Sequence, residues 1–200
     1  MSIYYSKEEK DAVVDFCIEC IKDRFSSAYN SLWYFVDTDD LYMKNKVRNL
    51  ILEMDTSEFV RPAEVVVFDG RENFNDDFKF LMINDAVRSG DKIILFTNLL
   101  DYEEWYIRNH PENLLKHPLI SGTINWLRDS LFNMFGARII LLISQEENKA
   151  FQSWGLDFYT QMDTDNDLDY LLKNRKDWLI FTESEKNDSE DSIKINKLKS

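Results

Sequence analysis

The stretch VVVFDGRENFNDD, residues 65–77, places acidic side chains directly after an apolar run that is rich in valine. Asp69 and Glu72 follow this run, and Asp163 and Asp165 follow a later alternating segment. If these segments are strands of an open parallel sheet, ligands are expected beyond their carboxyl ends. Carboxylates that meet there would suit Mg²⁺, which favours hydrolysis of phosphate esters. One hypothesis is therefore a magnesium-dependent phosphohydrolase or nuclease with these four carboxylates as metal ligands.

The segment VVVFDGREN also resembles the strand-Asp-Gly-x-Asn opening of some metal-dependent ribonucleases of the PIN and NYN type. Glu72 stands where the asparagine is expected, and Asn73 follows one place later. The resemblance implies a nuclease in which MDTDND, residues 162–167, supplies the later acids. The alternative is structural, because Asp-Gly is a common turn after a strand and Asp or Asn often begins a helix.

The charge balance points away from nucleic acid as a partner. The chain has 37 acidic and 24 basic residues, which gives a net charge of −13. Such a surface repels phosphate backbones and anionic membranes, because lysine and arginine supply the general attraction to them. No basic track accompanies the acids after the strands, so we expect the carboxyl edge of the sheet to be acidic. The charge serves either solubility alone or the binding of a basic partner.

The chain shows no targeting or membrane signal. Its opening, MSIYYSKEEKDAVVDF, lacks the pattern of a secretory signal peptide, and no apolar run approaches the roughly 18 residues of a membrane span. We therefore expect a soluble, cytoplasmic protein.

Aromatic residues indicate a contact surface. Trp105, Tyr106, Arg108 and His110 lie close together in the chain, and Trp, Tyr and Arg dominate binding hot spots between proteins. The leading hypothesis is a non-enzymatic protein that binds another protein, as an inhibitor, immunity factor or regulatory subunit without a cofactor. A homo-oligomer and a nucleotide sensor are further possibilities. The sequence lacks G-x-G-x-x-G, P-loop and G-x-S-x-G motifs, so a nucleotide would need a site without a glycine loop.

Two other motifs have simpler interpretations. Cys17 and Cys20 form a C-x-x-C, but the surrounding pattern is helical, and a zinc site would need two more ligands. We expect both to be apolar residues on a buried helix face. The acidic run at 163–167 resembles a calcium loop, but Leu168 occupies the position where an EF-hand requires glycine.

The apolar pattern predicts an α/β fold. Runs at 63–68, 92–98 and 137–144 are apolar on both faces, as buried parallel strands are, and helical patterns separate them. Short segments at 156–163 and 177–182 would complete a mainly parallel sheet of about four to five strands. Right-handed crossovers then place helices on both faces.

The first 60 residues are predicted to form a helical layer. Helical patterns cover 7–25 and 40–54, while residues 32–36 either continue the first helix or form a short aromatic strand. The predicted organisation is an N-terminal helical extension (1–60) packed on an α/β domain (61–182). A charged tail (183–200) lacks aromatic residues and is predicted to be disordered.

Overall fold

A five-stranded parallel sheet forms the centre of the protein. The computed structural model describes residues 5–28, 32–72, 92–109, 138–154 and 165–174. The strands are β1 (Leu32–Asp37), β2 (Glu64–Asp69), β3 (Lys92–Thr97), β4 (Arg138–Ile143) and β5 (Asp165–Asp167). Their order in the sheet is β2-β3-β4-β1-β5, and every neighbouring pair is parallel. The predicted α/β class with a mainly parallel sheet is confirmed.

Helices cover both faces of this sheet, as predicted. They are α1 (Lys7–Ser26), α2 (Leu41–Leu52), α3 (Leu99–Asn109), α4 (Gln145–Trp154) and α5 (Leu168–Lys173). On one face α1 packs against α2 and α5. On the other face Phe151 of α4 contacts Phe35 of β1, and Tyr102 of α3 contacts Phe68 of β2.

The strands are buried because their apolar side chains pack against helices on both faces of the sheet. β4 is buried along its whole length, and β3 is buried from its second residue onward. Successive side chains of a strand point to opposite faces. Tyr34 and Val36 accordingly join the core beneath α1 and α2, whereas Phe35 between them packs against α4.

The ambiguous aromatic segment is the interior strand β1. It pairs with β4 from Leu32 opposite Arg138 to Asp37 opposite Ile143, and with β5 through Phe35 opposite Asp165. The segment 1–60 therefore contributes an interior strand to the sheet as well as the two helices α1 and α2. The predicted strands at 156–163 and 177–182 and the tail lie outside the described residues.

Local sequence signals fix where the first two helices begin. Ser6 and Glu9 form a capping box at the start of α1, and the side chain of Asp40 accepts the backbone N–H of Met43 at the start of α2. Within α1, Cys17 is fully buried and Cys20 is half-buried, and burial raises the pKa of the Cys20 thiol. No helix in the described part of the chain is long and apolar enough to cross a membrane.

Candidate functional site

Asp69 is a buried residue that joins the ends of two strands. It is the last residue of β2, is 7% exposed, and its Oδ1 accepts hydrogen bonds from Nδ2 of Asn98 (2.8 Å) and the backbone N–H of Arg71 (3.0 Å). Asn98 follows β3 and has a positive φ of 54°. Asp69 thus organises the turn after β2 and the loop after β3.

Gly70 allows these two segments to approach each other closely. Its backbone N–H donates to the carbonyl oxygen of Thr97 at 2.9 Å. A Cβ atom at position 70 would lie 1.9 Å from the carbonyl oxygen of Asn98. Only glycine fits this contact, so Asp69-Gly70 has a structural role whatever else Asp69 does.

The structure does not bring the four predicted metal ligands together. Asp69 ends β2 at one edge of the sheet, whereas Asp165 begins β5 at the opposite edge. Four strand spacings separate these backbones by about 19 Å. Because one ion needs oxygen ligands at about 2.0–2.6 Å, Asp69 and Asp165 cannot share it. Glu72 is exposed in the turn after Asp69, and Asp163 lies outside the described residues. The described residues contain no metal-binding group of three or more His, Cys, Asp or Glu side chains.

A cleft of about 280 Å³ lies between α2 and the carboxyl ends of β2 and β3. The side chains that line it come from three elements: Leu41, Lys44, Asn45 and Arg48 of α2, Asp69 of β2, and Thr97 and Asn98 at the end of β3. Arg71 and Glu72 complete its rim. The cleft therefore holds three cations and two carboxylates. The sequence predicts an acidic carboxyl edge and does not reveal that α2 brings Lys44 and Arg48 across the strand ends.

Lys44 and Arg48, the two α2 cations that line the cleft, have only distant ionic partners among the described residues. Lys44 Nζ lies 3.8 Å from Glu147 Oε2, and Arg48 Nε lies 3.9 Å from Asp69 Oδ2. Both distances exceed that of a hydrogen bond. Glu147 is 3% exposed, and its carboxylate accepts the backbone N–H groups of Ser144 (2.6 Å) and Leu100 (3.0 Å).

The crevice between β1 and β4 is closed by hydrogen bonds. β1 leads to α2 on one face and β4 leads to α4 on the other, which makes this crevice the topological switch point of the sheet. The Thr38 N–H donates to the carbonyl oxygen of Ile143 (3.0 Å), and Nδ2 of Asn148 donates to Oδ2 of the buried Asp37 (3.0 Å). Protein groups therefore fill the position where open α/β sheets often bind a ligand.

Beyond this crevice lies a surface that we call the acidic edge surface. It comprises four carboxylates and two exposed apolar side chains: Asp39, Glu146, Asp167, Asp169, Leu41 and Tyr170. Leu41 also lines the cleft, so the two regions meet at this residue. The backbone N–H of Asp39 donates to Oδ2 of Asp169 (3.0 Å), and the N–H of Gln145 donates to Oδ1 of Asp39 (3.0 Å). These bonds tie the loops after β1 and β4 to α5.

Asp169 lies close to other negative charges on the acidic edge surface. Its half-buried position raises the pKa of its carboxyl group, and the charges of Asp167 and Asp39 raise the pKa further. Hydrogen bonds from the Asp39 N–H and from Thr38 oppose these effects. A positive charge placed opposite Asp169 would relieve this repulsion.

The predicted partner-binding residues on α3 are less exposed than the sequence suggests. The rings of Trp105 and Tyr106 are half-buried and lie near Tyr102, with centroid distances of 5.7 and 6.4 Å. Arg108 is exposed, and His110 lies outside the described residues. Sequence reasoning missed Tyr170, although its position between the inward-facing Leu168 and Leu172 is a signal that it points outward.

Comparison with known proteins assigns no function to the cleft or to the acidic edge surface. The chain matches no protein family model, and no curated protein is significantly similar to it.

Proposed function

We propose that the protein binds a basic protein partner through the acidic edge surface and acts as an inhibitor, immunity factor or regulatory subunit. One observation carries this proposal. Leu41 and Tyr170, 63% and 61% exposed, are the most exposed large apolar side chains in the described part of the chain. Both lie within two residues of Asp39 or Asp169, which are hydrogen-bonded to each other through the Asp39 N–H.

The apolar side chains and the carboxylates of the acidic edge surface have separate roles in binding. Burying an exposed leucine or tyrosine against a partner removes apolar surface from water and contributes roughly 1.5–3 kcal/mol for a fully buried large side chain. The carboxylates attract a basic partner over distances of about a Debye length and increase its rate of encounter. A lysine or arginine opposite Asp169 would also offset the repulsion from Asp167 and Asp39.

The outer side of α3 remains a predicted second contact region. Ile107 is 48% exposed, and Arg108 beside it is exposed as well. Trp105 and Tyr106 would contribute only the parts of their rings that are not packed near Tyr102. The acidic edge surface is the stronger candidate because its apolar side chains are more exposed.

Affinity capture from the native host with single variants tests this proposal. Tyr170→Ser and Leu41→Ser remove the apolar anchors, and Val60→Ser is the matched control. Val60 is 46% exposed and hydrogen-bonds through its N–H to the carbonyl oxygen of Ser26, at the opposite, amino end of the sheet.

For a captured partner, each anchor variant should weaken binding about tenfold, because loss of one hot-spot side chain costs more than about 1 kcal/mol. The Val60→Ser variant should bind as the wild type does. Unchanged dissociation constants for both anchor variants would show that the partner binds elsewhere.

A further inference from the structure

The cleft beside α2 brings three cationic side chains together on a strongly acidic protein. Lys44, Arg48 and Arg71 face it together with Asp69 and Glu72. Arg71 Nε binds Asp101 Oδ2 at 3.1 Å, whereas Lys44 and Arg48 lie 3.8 and 3.9 Å from their acids. The chain as a whole carries −13. On such a protein, Lys44 and Arg48 are the groups of this cleft that would attract a small anion.

The two acids closest to these cations are already bound to N–H groups. Asp69 accepts from Asn98 and from the Arg71 backbone, and Glu147 accepts from Ser144 and Leu100. Lys44 and Arg48 consequently reach them only at 3.8 and 3.9 Å.

Arg48 lines the cleft with a side chain that is 27% exposed, while its Nε atom is buried. This Nε atom has no hydrogen-bond acceptor among the described residues. Leaving a charged donor buried and without an acceptor is costly, so a rotation of the Arg48 side chain that brought its guanidinium group to a ligand oxygen would be favoured.

We infer that this cleft binds a small phosphate monoester, such as a sugar phosphate or a nucleoside monophosphate. A guanidinium group and an ammonium group match the oxygens of a phosphate, and an arginine can bind two of them at once. Asn45 and Thr97 supply neutral polar groups for ligand hydroxyls. A volume of about 280 Å³ lies at the lower end of small-molecule pockets, which favours a single phosphorylated unit over a dinucleotide.

Thermal unfolding and titration calorimetry at constant ionic strength test this inference. The probes are inorganic phosphate, ribose 5-phosphate and adenosine monophosphate, with ribose and adenosine as unphosphorylated controls. A ligand that binds only the native state raises its melting temperature. We expect the phosphorylated probes to do so and their unphosphorylated counterparts not to. A higher affinity for ribose 5-phosphate would identify a sugar phosphate as the ligand class, and a higher affinity for adenosine monophosphate would identify a nucleoside monophosphate.

Arg48→Gln is the decisive variant, and Lys46→Gln is its control. Both remove one positive charge from α2, but Lys46 faces α1, where it pairs with Asp11 and Asp15. Arg48→Gln should weaken phosphate binding about tenfold or more, since a hydrogen bond to a charged group is lost. Lys46→Gln should leave the affinity unchanged.

If Arg48→Gln does not fold, Arg71→Gln replaces it, because the Arg71 side chain is 59% exposed and loses only an exposed ion pair with Asp101. Tyr170→Ser, which alters the acidic edge surface and not the cleft, should retain the phosphate affinity and so separates this inference from the proposed partner binding. The inference is overturned if no phosphorylated probe stabilises the protein at millimolar concentration. It is overturned equally if the arginine variant binds as tightly as the Lys46→Gln control.

Discussion

Gly70→Ala should destabilise the protein far more than the addition of one methyl group usually does. The new Cβ atom would lie 1.9 Å from the carbonyl oxygen of Asn98, 2.8 Å from its carbonyl carbon and 3.1 Å from Cβ of Tyr102. The first two atoms belong to the backbone and cannot rotate away. The turn after β2 and the loop after β3 must therefore separate by about 1 Å or more. This displacement strains the backbone in the same way as overpacking a core does.

Two effects set the size of the loss. Overpacking typically costs about 1–3 kcal/mol. The separation also stretches the hydrogen bonds from Gly70 to Thr97 (2.9 Å) and from Asn98 to Asp69 (2.8 Å), each of which contributes about 1 kcal/mol. With partial relaxation we expect a loss of about 2–4 kcal/mol in the free energy of unfolding. For a chain of this size, that corresponds to a decrease of roughly 5–15 °C in melting temperature.

Urea unfolding followed by circular dichroism measures this loss. Glu72→Ala is the control, because Glu72 is an exposed residue of the same turn and its truncation should change stability by no more than about 0.5 kcal/mol. Equal unfolding midpoints for Gly70→Ala and the wild type would refute the close approach. The position of Asn98 in the cleft would then also be wrong.

Four further predictions concern stability and pH. Asp40→Asn keeps a good N-cap residue but loses the ion pair with Lys10, so calorimetry at neutral pH should show a loss of about 0.5–1 kcal/mol. Burial raises the pKa of Asp40, but its hydrogen bonds to Lys10 and the N–H of Met43 lower it more. The ionised Asp40 carboxylate therefore stabilises the protein at pH values above its unfolded-state pKa. As pH falls through its folded-state pKa, the difference in stability between Asp40→Asn and the wild type should disappear. Glu147→Gln places an amide donor against backbone N–H donors and should cost about 1–3 kcal/mol in urea unfolding. Met43→Ala, at a fully buried position, should cost about 2–5 kcal/mol by the same measurement. Partner affinity, measured by calorimetry, should weaken as pH falls through the raised pKa of Asp169, because protonation removes the charge that a basic partner would meet.

The fold could be predicted from the sequence where a segment is apolar on both faces. The runs that became β2, β3 and β4 show this pattern without helical spacing, and their observed ends differ from the predicted ends by at most one residue. The aromatic run at 32–36 remained ambiguous because it is short and follows a helical pattern within a few residues. Its pairing with β4 and β5 makes it a strand, and such long-range pairing leaves no local signal.

The functional site was less predictable than the fold. The sequence indicated that Asp69 ends a strand, but the order of the strands decides which acids are neighbours, and β5 lies at the far edge from β2. Lys44 and Arg48 are four residues apart and therefore share a helix face. Where that face points depends on the path of α2 across the sheet, which is a tertiary property.

The dependence of partner affinity on salt concentration tests most directly whether negative charge on the acidic edge surface attracts a basic partner. The dissociation constant of the captured partner would be measured from about 0.01 to about 1 M salt, a range that shortens the Debye length from roughly 30 to roughly 3 Å. The wild type should bind progressively more weakly as salt increases, and the double variant Asp39→Asn/Asp169→Asn should show a smaller dependence. An affinity that stays constant over this range, or an equal dependence in the two proteins, would contradict an electrostatic role for this surface.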